Sequence, residues 1–293
     1  MYSRKIIFYF LVLFLSISCK SKDEKATLVS TVYEYKFDIN NPSKIYKLPK
    51  ELKEISGLSF DNTGHLLAVN DEEAIIFKID TIEGEIVGET DFGKDDDYEG
   101  ITYGDGLIYV IESNGNIKVI EDESAEKIKE YDTELSEKNN IEGIFYENKR
   151  LLIASKSESK KGLIRIFQFD CEQQKMMDSV KFEIDLVKDA ESLRLYNMVK
   201  HFTVDLDKHR LEEFGPSGIA IDPLTGEHYI LSSRGKLLII LNDKGKILVI
   251  KFLSKKVFGQ PEGIVFDTFG NLYISNEAES GKANILKFNR ITN

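Results

Sequence analysis

At five places along the chain, a serine or a glutamate stands directly before a glycine that is followed by an isoleucine or a leucine. The five residues are Ser56, Glu99, Glu142, Ser217 and Glu262. Carboxylates and hydroxyls without any histidine form a ligand set that suits Ca²⁺ or Mg²⁺ and does not suit zinc. If the five side chains meet in the fold, the sequence predicts a weak site for a hard divalent cation, with the three glutamates as metal ligands. The alternative is that each side chain accepts backbone N–H bonds at a repeated turn.

A second set of polar residues follows the next apolar run after each glycine. The members predicted to contact a ligand are Asn70, Asp71, Glu72, Glu112, Ser155, Ser232, Asn276 and Glu277. The residue type changes from one place to the next, and turn chemistry alone does not require such variety. We therefore predict that this set faces a ligand, with ordinary hairpin turns as the alternative.

The spacing of the glycines indicates the fold that must position both sets. Successive steps between the glycines are 43, 43, 75 and 45 residues, for Gly57, Gly100, Gly143, Gly218 and Gly263. A period in the low forties with strand-like sequence inside each unit is typical of propeller blades. Equivalent residues of successive blades surround a common axis, so we expect the five glycines close to that axis and each polar set around one channel.

Short apolar runs bounded by Gly, Asn and Asp predict antiparallel hairpins in every repeat. After Gly57, for example, a turn over 61–64 separates two runs, and a polar break then leads into the run 74–79. No stretch of the repeats has a convincing helical period, so the predicted class is an all-β propeller of five four-stranded blades. The long interval from Cys171 to Phe214, with an expected strand over Val180 to Leu186, is either an insertion or a degenerate sixth blade.

The net charge and the absence of common catalytic motifs make some functions improbable for this sequence. The chain has 293 residues and a net charge of −11, which argues against nucleic acid because phosphates require Lys and Arg. We find no nucleophile, zinc, P-loop or dinucleotide motif in the sequence. The four histidines lie outside both polar sets, and we expect His65 and His228, in or beside turns, to be exposed.

The N-terminal residues have the pattern of a secretory leader. Arg4 and Lys5 precede an apolar stretch from Ile6 to Leu15, which is too short to span a bilayer and has the length of a secretory core. Small residues then lead into Cys19, as in a bacterial lipobox. The sequence thus predicts a lipoprotein signal peptide over 1–18, lipid on Cys19, a flexible tether over 19–31 and a propeller domain over 32–293. An ordinary signal peptide or anchor is the alternative.

The predicted location follows from this leader. Behind the cysteine, residues 20–24 (KSKDE) resemble the lysine-then-acidic tether that routes some Bacteroidetes lipoproteins to the outer surface, although a plain solvated linker is equally consistent. We expect a bacterial outer-membrane or cell-surface protein whose membrane contact is the lipid. A lipid on Cys19 leaves Cys171 without a disulfide partner.

The motifs around the five glycines, taken in order, resemble those of the SdiA-regulated propeller family. The motifs are EISGL, DDDYEGI, IEGI, PSGI and a late PEGI followed by NLYISNE, and together they cover roughly Ile45 to Asn289. The resemblance implies a β-propeller in the cell envelope and brings no catalytic residues. We expect a binding or interaction module that holds an unknown small molecule or protein at the channel mouth. If the three glutamates are metal ligands, the mouth also binds Ca²⁺. A calcium-dependent hydrolase of lactonase or esterase type and a purely structural envelope protein are the alternatives.

Overall fold

The computed structural model describes residues 28–29, 33–121, 127–156, 161–199, 207–278 and 281–291. Its strands form antiparallel sheets arranged in a ring, and the innermost strand of each sheet contacts the innermost strands of both neighbours. The predicted β-propeller is confirmed. The described strands make five blades, so the six-blade alternative is wrong.

The first two blades follow a short N-terminal section. Before the first blade come β1 (Leu28–Val29) and β2 (Lys44–Lys47). Blade 1 contains β3 (Ile55–Phe60), β4 (Leu66–Asn70), β5 (Ile75–Ile79) and β6 (Ile86–Asp91). Blade 2 contains β7 (Tyr98–Gly104), β8 (Leu107–Glu112), β9 (Ile117–Ile120) and β10 (Ile128–Tyr131).

The remaining blades follow the same order from the inside outward. Blade 3 contains β11 (Ile141–Glu147), β12 (Arg150–Lys156), β13 (Leu163–Asp170), β14 (Lys175–Met176) and β15 (Phe182–Asp185). Helices α1 (Leu186–Val199) and α2 (Lys208–Glu212) come next. Blade 4 contains β16 (Gly218–Ile221), β17 (His228–Ser232), β18 (Leu237–Leu241) and β19 (Ile247–Phe252). Blade 5 contains β20 (Gln260–Phe266), β21 (Leu272–Glu277) and β22 (Asn284–Phe288).

The ring has two ends, which differ in the connections they carry. At the mouth end, the inner strand of each blade begins and the second strand ends. At the turn end, short hairpins join the inner strand to the second strand, and they occupy residues 61–65, 105–106, 148–149, 222–227 and 267–271.

Both faces of each blade are covered by neighbours, which explains the apolar runs. Every residue of β4 and of β18 is buried, because alternate side chains of a strand point to opposite faces and each face packs on the adjacent blade. Within the described residues, the apolar core divides into five clusters, one at each interface between neighbouring blades.

The N-terminal part of the chain closes the ring. Strand β2 pairs with β22 and supplies the outermost strand of blade 5, so this blade is built from two distant parts of the sequence. Strand β1 pairs with β19 as an additional outer strand of blade 4. The sequence predicts a flexible tether over 19–31, yet Leu28–Val29 within that segment is part of a sheet.

The long third interval is an insertion and not a blade. The strand expected over Val180 to Leu186 is Phe182–Asp185, and it shares the outer edge of β13 with β14. Helix α1 follows at once, with Asp185 accepting a hydrogen bond from the amide of Lys188 at its first turn (3.2 Å). The insertion alternative is therefore the correct one, and the insertion also contains α1 and α2, for which the sequence shows no clear helical period.

The signal peptide predicted over 1–18 and the lipidation predicted at Cys19 lie outside the described residues. Within the described part of the chain, neither α1 nor any other helix is long and apolar enough to cross a membrane.

Candidate binding site at the mouth end

The five repeated glycines form a ring of close backbone contacts around the axis. A Cβ atom on Gly57 would lie 2.6 Å from the amide nitrogen of Ile101, and one on Gly218 would lie 2.6 Å from the carbonyl oxygen of Glu262. Each clash is with the same motif in the next blade, and none of the five glycines has a left-handed φ. The prediction that they occupy equivalent places is confirmed, and its cause is close approach of neighbouring inner strands.

A β-bulge accompanies the glycine in blades 1, 2, 3 and 5. In blade 2, Tyr98 pairs with Glu112 and Gly100 pairs with Ile111, so Glu99 is an extra residue with no partner on β8. The same register shift occurs at Ile55/Leu58, Ile141/Gly143 and Pro261/Ile264. Bulges change the direction of a side chain, and in these blades the residues affected are Ser56, Glu99, Glu142 and Glu262.

Strand pairing brings the two predicted polar sets to the same end. Ile55 lies opposite Asn70, and Tyr98 lies opposite Glu112. The pairs Ile141 with Ser155 and Pro261 with Asn276 repeat this relation in blades 3 and 5. Both sets therefore lie at the mouth end of the ring, one on the inner strands and the other on the second strands.

Glu262 is the most perturbed carboxyl group of the site. Burial raises its pKa to about 8, with the negative charges of Glu142 and Glu277 adding to the shift, while hydrogen bonds involving Ser233 and Gln260 oppose it. Glu142 belongs to blade 3 and Glu262 to blade 5, so these two carboxylates influence each other past the inner strand of blade 4. Part of the Glu262 side chain remains in contact with solvent.

The intervening blade carries a hydroxyl in place of a carboxylate. Ser217 is buried, and its hydroxyl donates a hydrogen bond to the carbonyl of Pro261 (2.8 Å). Ser56 is buried at the corresponding place in blade 1. Glu142 accepts a hydrogen bond from the amide side chain of Asn140. The ring of five side chains therefore consists of half-buried carboxylates in blades 2, 3 and 5 and buried serines in blades 1 and 4.

A second pair of carboxylates lies where blades 1 and 5 meet. Burial raises the pKa of Asp71 to about 6, and the negative charge of Glu54 adds to the shift. Burial also raises the pKa of Glu277, with the charge of Asp71 as the next cause. Gln260 donates a hydrogen bond to Glu277. Glu72, the neighbour of Asp71, is exposed. The rim of the mouth thus carries carboxylates that repel one another.

Three members of the second set use their polar atoms to hold the local backbone. Asn70 donates to the carbonyl of Glu51 (3.2 Å) and accepts from the amide of Glu73 (2.8 Å). The hydroxyl of Ser155 donates to the carbonyl of Asn139 (2.6 Å). Ser232 accepts from the amides of Gly215 and Gly235 at 3.2 and 3.4 Å. All three side chains are buried, so their contacts favour the turn alternative.

Buried oxygen atoms of the other members are less well satisfied. Glu112, which is 2% exposed, forms an ion pair with Lys118 (3.2 Å) and accepts from Asn114 (3.0 Å). Asn276 is 1% exposed and donates to Asn284 (3.1 Å), but its Oδ1 finds no donor among the described residues. The Oδ1 atom of Asp71 has none either within that part of the chain.

The described side chains at the mouth end do not form a complete metal-binding site. Within the described part of the chain, no three His, Cys, Asp or Glu side chains are grouped so that they could hold a metal ion. The predicted ligation by Glu99, Glu142 and Glu262 therefore stays a prediction, and water or other protein oxygens must supply the rest of any coordination shell.

Sequence reasoning missed Gln260 and Glu54 as members of this site. Gln260 begins β20 three residues before Gly263, and Glu54 stands three residues before Gly57. The repeat alignment could therefore have identified both. Glu54 lies directly before β3, where its charge acts on Asp71.

The expected exposure of His228 is wrong. This residue begins β17 at the turn end, is 2% exposed and packs edge-on against Phe182 with ring centroids 5.1 Å apart. Burial, together with the positive charge of Lys181, lowers its pKa to about 4. The insertion after β13 supplies Phe182 and covers a position that the local sequence would leave in solvent.

Comparison with known proteins identifies the family. A model of the SdiA-regulated family matches residues 29–280. The chain belongs to the SdiA-regulated family. None of the curated proteins compared matches this SdiA-regulated protein.

Several solved structures with low sequence identity are similar to this chain. A glutaminyl cyclase from Myxococcus xanthus is 10% identical, with a TM-score of 0.56 over 86% of this chain and 97% of that one. A chain of a nidogen/laminin complex is 16% identical, with a TM-score of 0.50 over 82% of each chain. A gluconolactonase from Xanthomonas campestris is 11% identical, with a TM-score of 0.46 over 80% of this chain and 72% of that one. The likenesses to the cyclase and to the nidogen/laminin chain concern the fold alone.

Proposed function

We propose that this SdiA-regulated protein is a lipid-anchored binding module of the bacterial envelope whose mouth end binds a hard divalent cation such as Ca²⁺. The observation that carries the proposal is the placement of Glu262 and Glu142 at the mouth end, in the blades on either side of blade 4. Burial, and after it the negative charge of Glu142, raises the pKa of Glu262 to about 8, so near neutral pH a proton occupies a carboxyl group to which a cation can bind instead.

Two other oxygen atoms at the mouth end are further evidence for cation binding. The Oδ1 atom of Asn276 is buried and lacks a donor within the described residues, as does that of Asp71. A buried oxygen without a donor is costly, and a cation satisfies it without needing a hydrogen atom. Since the carboxylates do not form a tight cluster, the affinity we expect is weak and the coordination shell is completed by water.

Cation binding should be coupled to proton release. A cation that replaces the proton on Glu262 competes with it, so apparent affinity should increase as the pH rises towards about 8. The direct test is thermal unfolding with chelator and with millimolar Ca²⁺. At ten times its dissociation constant, Ca²⁺ stabilises the folded state by about 1.4 kcal/mol.

Charge-matched variants make this test specific. Glu262→Gln and Glu142→Gln should reduce the calcium-dependent rise in Tm. Glu83→Gln makes the same substitution at an exposed turn-end residue and should keep the full rise. Absence of any rise in the wild type, or an equal rise in all three variants, would refute the cation site.

The anchor is tested separately. The apolar stretch from Ile6 to Leu15 and the small residues before Cys19 support lipidation at that thiol. Cys19→Ala should move the protein from the membrane fraction to the soluble fraction and abolish incorporation of labelled fatty acid. Cys171→Ala serves as the matched control and should change neither property. A wild-type chain that incorporates no fatty acid contradicts the lipobox interpretation.

A further inference from the structure

The direction of the chain at β1 shows on which side it enters the propeller. Leu28 pairs with Ile250 and Val29 pairs with Val249. Strand β19 runs from the turn end to the mouth end, where its last residue, Phe252, lies opposite Leu237. Because β1 is antiparallel to β19, the chain passes β1 from the mouth end towards the turn end.

The next described segment confirms this direction. We call residues 33–43 the N-terminal strap. The hydroxyl of Tyr33 donates to Glu227 in the turn-end hairpin of blade 4 (2.8 Å). The carbonyl of Lys36 then accepts from the amide of Ile291, beyond the turn end of β22 (2.8 Å). The strap therefore crosses the turn end from blade 4 to blade 5, and β1 begins on the opposite side, at the mouth end.

The distance from this exit to the predicted lipid is short. Nine Cα-to-Cα steps separate Cys19 from Leu28, and a fully extended chain of that length reaches about 30 Å. The strands of blade 4 are about 17–20 Å tall. If the turn end faced the membrane, residues 19–28 would have to extend along the whole height of the blade, which is more than half of their maximum length. An extended tether also loses conformational entropy, which opposes that arrangement.

We propose that the mouth end of the propeller, at the outer edge of blade 4, faces the lipid surface. This inference rests on the lipid anchor of the proposed function but not on cation binding. Asp185, directly before α1, pairs with Leu163 at the mouth end of β13, so α1 begins on the membrane side as well. The partner of this surface is the bilayer that holds the anchor, and the predicted cation site opens towards the water layer next to the headgroups.

Two exposed cationic residues of blade 4 provide a matched test. Arg234 lies at the mouth end and Lys244 at the turn end. The full-length lipidated chain, with Cys171→Ser as background, carries either Arg234→Cys or Lys244→Cys and is labelled there with a donor dye. It is then incorporated into phosphatidylethanolamine–phosphatidylglycerol vesicles that carry a headgroup-linked acceptor. Energy transfer from position 234 should exceed that from position 244 by about twofold, since one blade height separates them.

Further positions make the result decisive. Glu72→Cys, at the mouth end of blade 1, should transfer more efficiently than Asn62→Cys at the turn end of the same blade. A flexible Gly/Ser insertion after Ala26 should reduce the difference between the two ends, because it releases the restraint. Equal or reversed transfer in a protein that floats with the vesicles overturns the orientation alone. A chain that does not float overturns the anchor, and this inference with it.

Discussion

The two ends of the propeller use carboxylates in opposite ways. At the turn end, Asp61 forms an ion pair with Lys78 (3.0 Å), and Asp222, which is 0% exposed, forms one with Arg290 (2.8 Å). Both also accept backbone amides of their own hairpins. At the mouth end, burial and then the charges of other carboxylates raise the pKa values of Asp71 and Glu262. Asp61 and Asp222 thus stabilise the turn end, whereas ionised Asp71 and Glu262 destabilise the mouth end.

This difference separates structural from functional positions. A carboxylate that forms a turn is neutralised by donors from its own or a neighbouring hairpin, so its place in the fold explains its presence. Carboxylates that repel their neighbours reduce stability, and such groups concentrate at functional sites. Substitutions at the mouth end should therefore alter binding, and substitutions at the turn end serve as an internal control.

The largest effect should come from removing a cation at the turn end. Arg290→Met leaves the carboxylate of Asp222 buried without its ion pair, and the expected loss of stability is about 3–5 kcal/mol. Denaturant unfolding measures this loss. Lys53→Met, which removes an exposed cation beside Glu54 at the mouth end, should cause no measurable loss. Equal losses in the two variants would remove the contrast between the ends.

The glycines of the two ends should differ for a steric reason. Gly57→Ala places a methyl group against the backbone of blade 2 and should cost about 3 kcal/mol. Gly226 in a turn-end hairpin has φ of 71° and open space around it, so Gly226→Ala should cost about 1–2 kcal/mol through the dihedral alone. Calorimetric unfolding of both variants checks the order. A milder effect at Gly57 would contradict close packing of the inner strands.

Glu262→Gln should stabilise the metal-free protein at alkaline pH. The folded-state pKa of Glu262, about 8, lies above its ordinary value of 4.5, so its stability contribution is lost as pH rises through about 8. In chelator, the variant should have a Tm several degrees above wild type at pH 9 and nearly the same Tm at pH 4.5. A lower Tm at pH 9 would show that the ionised side chain stabilises the fold.

Asp71→Asn should have a smaller effect of the same sign over a lower pH range. The folded-state pKa of about 6 lies above the ordinary value of 3.8, so the variant should gain stability relative to wild type as pH rises from about 4 to 6. Thermal unfolding at pH 4 and pH 7 in chelator measures the gain. Asp61→Asn at the turn end should instead lose stability at pH 7, because burial is outweighed there by hydrogen bonds that lower the pKa of Asp61.

The sequence predicts the parts of this fold that repetition makes visible. The glycines recur because neighbouring inner strands approach too closely for a Cβ atom, and that constraint is the same in every blade. The insertion has no such signal, and α1 lacks a clear apolar face, although Asp185 before it is a recognisable cap. The local sequence around His228 misleads because Phe182, which covers it, lies 46 residues earlier in the chain.

The sequence predicts the location of the candidate site more fully than its contacts. Repeat alignment places both polar sets at one end. It does not distinguish Ser155, whose hydroxyl donates to the carbonyl of Asn139, from Asp71, which faces carboxylates of neighbouring segments. The partner of Ser155 is a main-chain carbonyl in a connecting segment. Every residue has such a carbonyl, so the residue types in the sequence do not reveal this partner.

The pairing of β2 with β22 has a consequence for how the protein folds. Lys44 lies opposite Lys287 in this pair, and Ser43 donates to the carbonyl of Lys287 over a separation of 244 residues. Contacts between such distant segments close a large loop, which raises contact order and slows folding. During synthesis, β2 has no partner strand until nearly the whole chain has emerged. The last interval of folding is therefore when this protein is most exposed to edge-to-edge aggregation.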